Sequence, residues 1–296
     1  MMPRWFATGL HCVPVVGDSD REAWLAERKN GIGASEVWKV ESDPASIYAQ
    51  KLGLIEPIDL DDVERVQVGR EIEPWIAKQY SERASAHIEC CGTMLRSVAW
   101  PWLFATPDYL QLTESGLVVD VQIKNTEFPS PYAEGLVPHR VDLQVQTEMA
   151  VTGLTHAVVV AFVRGNRLIW IDVERDEKKI AAIVAVTKAL WQCIQDEEPP
   201  ALGAASNAVA TAIYPPAAVR VEREPELLPG DLIEPDERRL HLKALVAAME
   251  GEVLGIENRF KDRLSENPFG MLPNGVQVSW KPDKTGVRKF YRKEPR

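Results

Sequence analysis

Cysteine is scarce in this chain and poorly spaced for holding metal. Cys12, Cys90, Cys91 and Cys193 form no C-x-x-C pair and have no His-x-x-x-His companion. A structural zinc, an iron–sulfur cluster and a disulfide framework are therefore not expected, and free thiols suit a reducing cytoplasm. His11, His87, His139, His156 and His241 show no metal-ligand spacing, which argues against histidine-centred hydrolysis. Neither a G-x-S-x-G elbow nor a Walker phosphate loop occurs, which disfavours serine hydrolases and P-loop motors. Long apolar runs are missing too. The longest, Ala157 to Val163, stops at Arg164, far short of the roughly 20 residues of a membrane span, so no membrane partner is expected. The start, Met1 to Phe6, lacks the apolar core of a signal peptide. Positive charge is in deficit as well, with 34 Lys and Arg against 44 Asp and Glu and a net charge of −10. That balance does not exclude a phosphate-rich partner, because attraction depends on where the basic groups sit. Residues 274–296 hold seven Lys or Arg against Asp283 and Glu294.

What is present is an ordinary soluble composition, 45% hydrophobic over 296 residues, enough for one large domain with an appendage. A helix is expected from Asp20 to Lys29, then a tight turn at Asn30 to Gly33 and a helix start at Ala34. Ser35 either caps that start or, with Arg28, faces a phosphate. Ser42-Asp43-Pro44 opens a further helix through Leu52. Pro74 fits a first turn best, which predicts a helix from about Ile72 to Arg83, or one that bends there, and leaves Glu73 to favour the helix dipole or to face a metal. Strands are expected over His87 to Ser97 and Trp100 to Ala105, a helix over Val141 to Val151, a hairpin across Gly165-Asn166, and an amphipathic helix over Glu174 to Gln195. Residues 201–235 turn to Ala, Pro and Glu and read as a linker. A long helix from Asp236 to Glu266 follows, with Leu242, Val246, Met249, Val253, Ile256 and Phe260 in a seam for its own domain or for a partner. Val276, Val278 and Trp280 alternate as a strand before a basic tail. The expected organisation is a core over residues 1–200, the linker over 201–235, and an appendage over 236–296.

The chemistry concentrates between Ala105 and Asn125. Thr106-Pro107-Asp108 leads through a loop into a strand that alternates, Asp120, Gln122 and Lys124 on one face and Val119, Val121 and Ile123 on the other. Two acids, an amide and an ammonium at the edge of an apolar sheet are costly unless something binds there. A divalent cation acting on a phosphodiester supplies that something: carboxylates hold it through oxygen and it lowers the pKa of its water, while a lysine steadies the nucleophile.

Six short pieces occur in order: Gly31 to Glu36, Gly69 to Pro74 with Glu73, Thr106 to Asp108, Gln122 to Lys124, Leu143 to Gln146, and Val173 to Glu177. Together they resemble the YqaJ-type viral recombinase (phage lambda exonuclease) family, over about residues 20–200. The resemblance implies an α/β, restriction-endonuclease-like core, a mixed central sheet flanked by helices with a PD-(D/E)XK site, to which the C-terminal helix and strand are added. It implies Asp108, Gln122, the Ile123 carbonyl and Glu73 as metal ligands, with Lys124 as the catalytic lysine. Arg28, Ser35, Thr106, Gln144 and Gln146 are implied at the DNA and its 5′-phosphate. Gln122 stands where the family has a glutamate. That is either an inactivating exchange or a tolerated glutamine with Asp120 on the same face taking over. The activity implied is an Mg²⁺-dependent (Mn²⁺ as substitute) 5′-to-3′ exonuclease on double-stranded DNA ends, in a homo-trimer, working with a single-strand annealing protein in phage-type recombination. The alternatives are a catalytically silent DNA-end-binding scaffold and a nuclease of the helicase- or CRISPR-associated kind.

Overall fold

The computed structural model describes residues 11–56, 63–216 and 227–294, and the chain divides into two compact units, residues 1–218 and 219–296. In the first unit the order is β1 (Cys12–Gly17), α1 (Arg21–Glu27), β2 (Ile32–Gly33), α2 (Val37–Ser42), α3 (Pro44–Lys51), α4 (Glu64–Ala84), β3 (Ile88–Cys90), β4 (Thr93–Ser97), β5 (Leu103–Ala105), β6 (Tyr109–Leu112), β7 (Val118–Thr126), α5 (His139–Thr152), β8 (His156–Val163), β9 (Arg167–Glu174), α6 (Glu177–Asp196) and α7 (Asn207–Ile213).

A five-stranded sheet runs β3-β6-β7-β8-β9, and a four-stranded sheet runs β1-β4-β5-β2. In the larger sheet β7 and β8 are parallel while every other neighbour is antiparallel. Parallel neighbours need a long crossover, and α5 supplies it. The two faces of β7 are buried against different helices, as its alternation predicts. Val119, Val121 and Ile123 pack with Ile76, Ala77 and Tyr80 of α4. The opposite face, carrying Asp120, Gln122 and Lys124, looks at α5, which also packs on β4 and β5 of the smaller sheet. This is the mixed sheet with flanking helices expected of the core, and α5 is sandwiched at its centre.

Several boundaries differ from expectation for identifiable reasons. Helix α4 begins at Glu64, so Pro74 lies inside it and Glu73 is well past the first turn. A dipole role for Glu73 therefore has no basis, because that effect fades within one turn. The stretch His87 to Ser97 is not one strand: Gly92, at φ +56, turns the chain so that β3 and β4 join different sheets. Residues 201–235 are not a plain linker, since the Ser206 side chain caps α7 and Val209 buries against Ala45 and Ala49 of α3. Residues 217–226 of that stretch lie outside the described residues.

The second unit holds α8 (Ile233–Leu264) and the antiparallel sheet β10 (Phe269–Met271), β11 (Gln277–Pro282) and β12 (Arg288–Lys293). The expected basic tail is thus mostly a strand, because Phe290 alternates inward between basic neighbours; Arg296 lies outside the described residues. Leu264 at the end of α8 buries with Val276 and Val278, and Phe260, Trp280 and Phe290 pack around them. Among the described residues no helix is long and apolar enough to cross a membrane.

Candidate active site

Asp108 sits at the junction into β6, where Tyr109 pairs with Val121 of β7. Two residues further along β7, the Ile123 N–H donates to Asp108 Oδ2 at 2.8 Å, so the carboxylate continues the ladder beyond the last backbone pair. The Gln122 amide nitrogen donates to the same oxygen. Gln122 Oε1 accepts from Gln144 Nε2 at 3.0 Å, and Gln144 Oε1 accepts from Lys124 Nζ at 3.3 Å. Gln144 Nε2 also donates to Glu148 Oε1 at 2.9 Å. Gln144 and Glu148 are one turn apart on α5, so both face β7.

The direction of this chain of bonds is dictated at its ends. An ammonium only donates and an ionised carboxylate only accepts. Lys124 therefore turns the Gln144 oxygen toward itself, Gln144 presents its nitrogen to Gln122, and Gln122 presents its own nitrogen to Asp108.

Beneath this network lies uncompensated charge. Asp120 is 0% exposed, and among the described residues neither of its carboxylate oxygens, nor Glu148 Oε2, has a hydrogen-bond partner. Burial, with Asp108 nearby, pushes the Asp120 carboxyl up to about 7. Burial and then the charge of Asp120 hold Glu148 well above the usual carboxylate range. Asp108 is raised by burial, against the pull of Lys124 and of the Ile123 N–H. Glu73 is pushed up to about 7, first by burial and then by Asp108, with Lys124 opposing. Four carboxyl groups thus share one lysine, and the site lacks positive charge.

This deficit and these donors suit a hard divalent cation, which takes oxygen ligands and compensates paired carboxylates. Among the described residues, no three His, Cys, Asp or Glu side chains already converge as a metal-ligating group. The fit lies in charge and donor type. Gln122 as it stands offers Asp108 a donor in the place where a cation would offer charge.

The structure joins Asp108, Gln122, Ile123, Lys124 and Gln144 directly and couples Glu73 to them through its field. Thr106 is half-buried two residues before Asp108. Arg28 and the exposed Ser35 belong to the segment around Gly31 to Glu36, which approaches β5 closely: a Cβ on Gly33 would meet Phe104 at 2.8 Å. Arg28 is held there by Glu36 at 2.8 Å and stacks over Trp24 at 4.9 Å. Gln146 is not at the site. Its amide nitrogen donates to the Glu174 carbonyl at 2.8 Å and its oxygen accepts from the Asp176 N–H at 2.9 Å. Buried and tied in this way between α5 and the start of α6, it does not join the network around Asp108.

Two groups escaped the sequence reading. Glu148 was detectable as the i+4 neighbour of Gln144. Glu36, bound by Lys51 at 2.8 Å and Arg28 at 2.8 Å, was not, because Lys51 is fifteen residues away in a different helix.

Residues 23–155 match the YqaJ-like viral recombinase domain. The uncharacterized protein YqaJ of Bacillus subtilis (strain 168) is 22% identical over 276 residues, 90% of this chain and 84% of its own. An alkaline exonuclease from Laribacter hongkongensis aligns over 60% of this chain and 94% of its own at 21% identity and a TM-score of 0.49. A phage-related exonuclease from Haemophilus somnus 129PT aligns over 56% and 96% at 15% identity and a TM-score of 0.44.

Proposed function

With a YqaJ-like viral recombinase domain in its first unit, the chain is, we propose, an Mg²⁺-dependent deoxyribonuclease. It digests double-stranded DNA from 5′ ends and leaves 3′ single-stranded overhangs for phage-type recombination. The observation that carries this reading is the Asp108–Ile123 N–H bond with Lys124 one residue further on, set over buried acids short of positive charge. Asp108, Glu73 and the Ile123 carbonyl would hold the cation, with Gln122 joining through its oxygen once its amide turns. When bound, the cation acidifies a water and stabilises charge on the scissile phosphate. Lys124, braced by the Gln144 oxygen, directs its ammonium to the attacking water or the phosphate. Glu73, pushed up to about 7 by burial and by Asp108, would be held ionised by the cation it ligates. A trimer around DNA and an annealing protein as partner belong to the same proposal.

A second reading is favoured by one observation. Gln122 faces Asp108 with nitrogen, not oxygen, which withholds an oxygen ligand from a cation there and fits a silent DNA-end-binding scaffold. A nuclease assay on 5′-phosphorylated duplex with Mg²⁺ or Mn²⁺, run beside Gln122→Glu and Asp108→Asn, separates the two. The nuclease reading expects product from the native chain or from Gln122→Glu, and none from Asp108→Asn. No product from either of the first two overturns it in favour of the scaffold.

A further inference from the structure

The three-stranded sheet of the second unit has two unlike faces, and their residues are fixed by register. Opposed residues in an antiparallel pair share a face, and successive residues alternate. Val278, Trp280 and Phe290 therefore lie on one side, where they bury with Leu264 and Phe260 of α8. The other side carries three rows: Met271–Gln277–Lys293, Phe269–Ser279–Tyr291, and Lys281–Lys289. No acid occurs in these rows.

This second face is open. Phe269 is 65% exposed and Tyr291 44%, an unfavourable use of large rings unless something covers them. They stand two strands apart, about 10 Å by strand spacing, with only the small Ser279 between. An open depression of about 800 Å³ lies over this part of the sheet. The Lys281 ammonium sits between the rings, 5.8 Å from the Phe269 centroid and 5.9 Å from that of Tyr291. Lys289 projects from the same face, paired with Asp283 at 2.8 Å, and Lys293 is exposed at the end of its row.

We propose that this face binds single-stranded nucleic acid, one base stacking on Phe269 and another on Tyr291 while Lys281, Lys289 and Lys293 contact the phosphates. Charge complementarity selects the occupant. A row of lysines on a chain of net charge −10 attracts polyanions locally. The spaced rings add what a duplex cannot use, because its bases are already stacked, whereas every unpaired base offers a π-face. The proposal is separate from the nuclease reading and stands or falls without it.

The test is the anisotropy of a short fluorescein-labelled oligothymidylate with the full chain in EDTA, which silences metal-dependent cleavage. Phe269→Ala and Tyr291→Ala should each weaken binding by roughly tenfold, the usual scale of a lost base–ring stack. Lys281→Gln and Lys293→Gln should each flatten the slope of log affinity against log salt by about 0.7, as for one phosphate contact on a single strand. Phe269→Leu keeps apolar bulk without a ring and should bind like the alanine variant, with an unchanged thermal melt. Equal losses on an oligouridylate assign the face to single strands of either sugar; losses confined to oligothymidylate assign it to DNA. The proposal is overturned if the double aromatic variant binds like the native chain. Equal weakening on duplex, or a loss seen only on anionic lipid vesicles, overturns it as well.

Discussion

Two acids in the first unit, the largely buried Glu36 with its side chain 14% exposed and the fully buried Asp120, have opposite fates. Glu36 is met on every side: Lys51 and Arg28 each pair with it at 2.8 Å, and the Gly33 N–H donates to it at 2.9 Å. Those partners hold its carboxyl below the usual range although burial acts to raise it. Among the described residues Asp120 has no hydrogen-bond partner for either oxygen, and its carboxyl is driven up to about 7. Burial is common to both, so compensation decides. A compensated buried acid anchors structure, here the segment around Gly31 to Glu36. An uncompensated one stores an electrostatic demand, which a cation entering beside Asp108 and Glu73 would relieve.

The largest expected effect tests the compensated side. Glu36→Gln leaves the Lys51 ammonium, whose side chain is 4% exposed, buried with no counter-charge. Breaking such a pair costs about 3–5 kcal/mol, so urea denaturation should show a loss of that order. A loss below about 1 kcal/mol would mean that water reaches Lys51 and would erase the contrast.

Asp120→Asn tests the other side and should do the reverse. The folded carboxyl is raised above its unfolded value, so between about 4 and 7 the native state binds more protons than the unfolded chain. Stability contributed by the protonated form is therefore present at acid pH and is lost as pH rises toward 7. Metal-free protein should become less stable from about pH 4 to about pH 8, and Asp120→Asn should flatten that slope. At pH 8 the variant should exceed the native chain by on the order of 2–4 kcal/mol, each factor of ten in proton affinity being about 1.4. A variant less stable than the native chain at pH 8 would refute the account.

The smallest effect separates the two glutamines of α5. Gln146→Ala strips partners from two backbone groups and should cost about 2 kcal/mol, with affinity for duplex DNA ends unchanged. If DNA binding weakens more than stability explains, Gln146 reaches substrate after all. Its neighbour Gln144 is the one tied to Lys124.

Much of the site was legible because β7 is a strand buried on both faces, and period-two alternation survives in sequence. That pattern puts Asp120, Gln122 and Lys124 on one face, while the link from Asp108 to them came from the resemblance, because a Pro-Asp followed by x-x-Lys says little alone. What failed did so where local rules met tertiary context. By local rules Pro74 fits a first turn, yet α4 runs through it while Ile76, Ala77 and Tyr80 bury on the sheet. The run from His87 to Ser97 looks continuous, but Gly92 hands it from one sheet to another. Gln144 and Gln146 look equivalent on paper, and only the fold shows that one is spent on backbone. The Glu36–Lys51 pair joins segments with no shared period, so no local pattern announces it.

The hydrogen-bonded row from Lys124 through Gln144 and Gln122 to Asp108 has a consequence for how this centre is dissected by mutation. The ammonium at one end and the carboxylate at the other impose the same heading on both amides. Deleting Lys124 therefore subtracts a charge while Asp108 still holds Gln122 by its nitrogen, so lost turnover in that variant reports the ammonium, and only the loss of both ends would free the carboxamides to reverse.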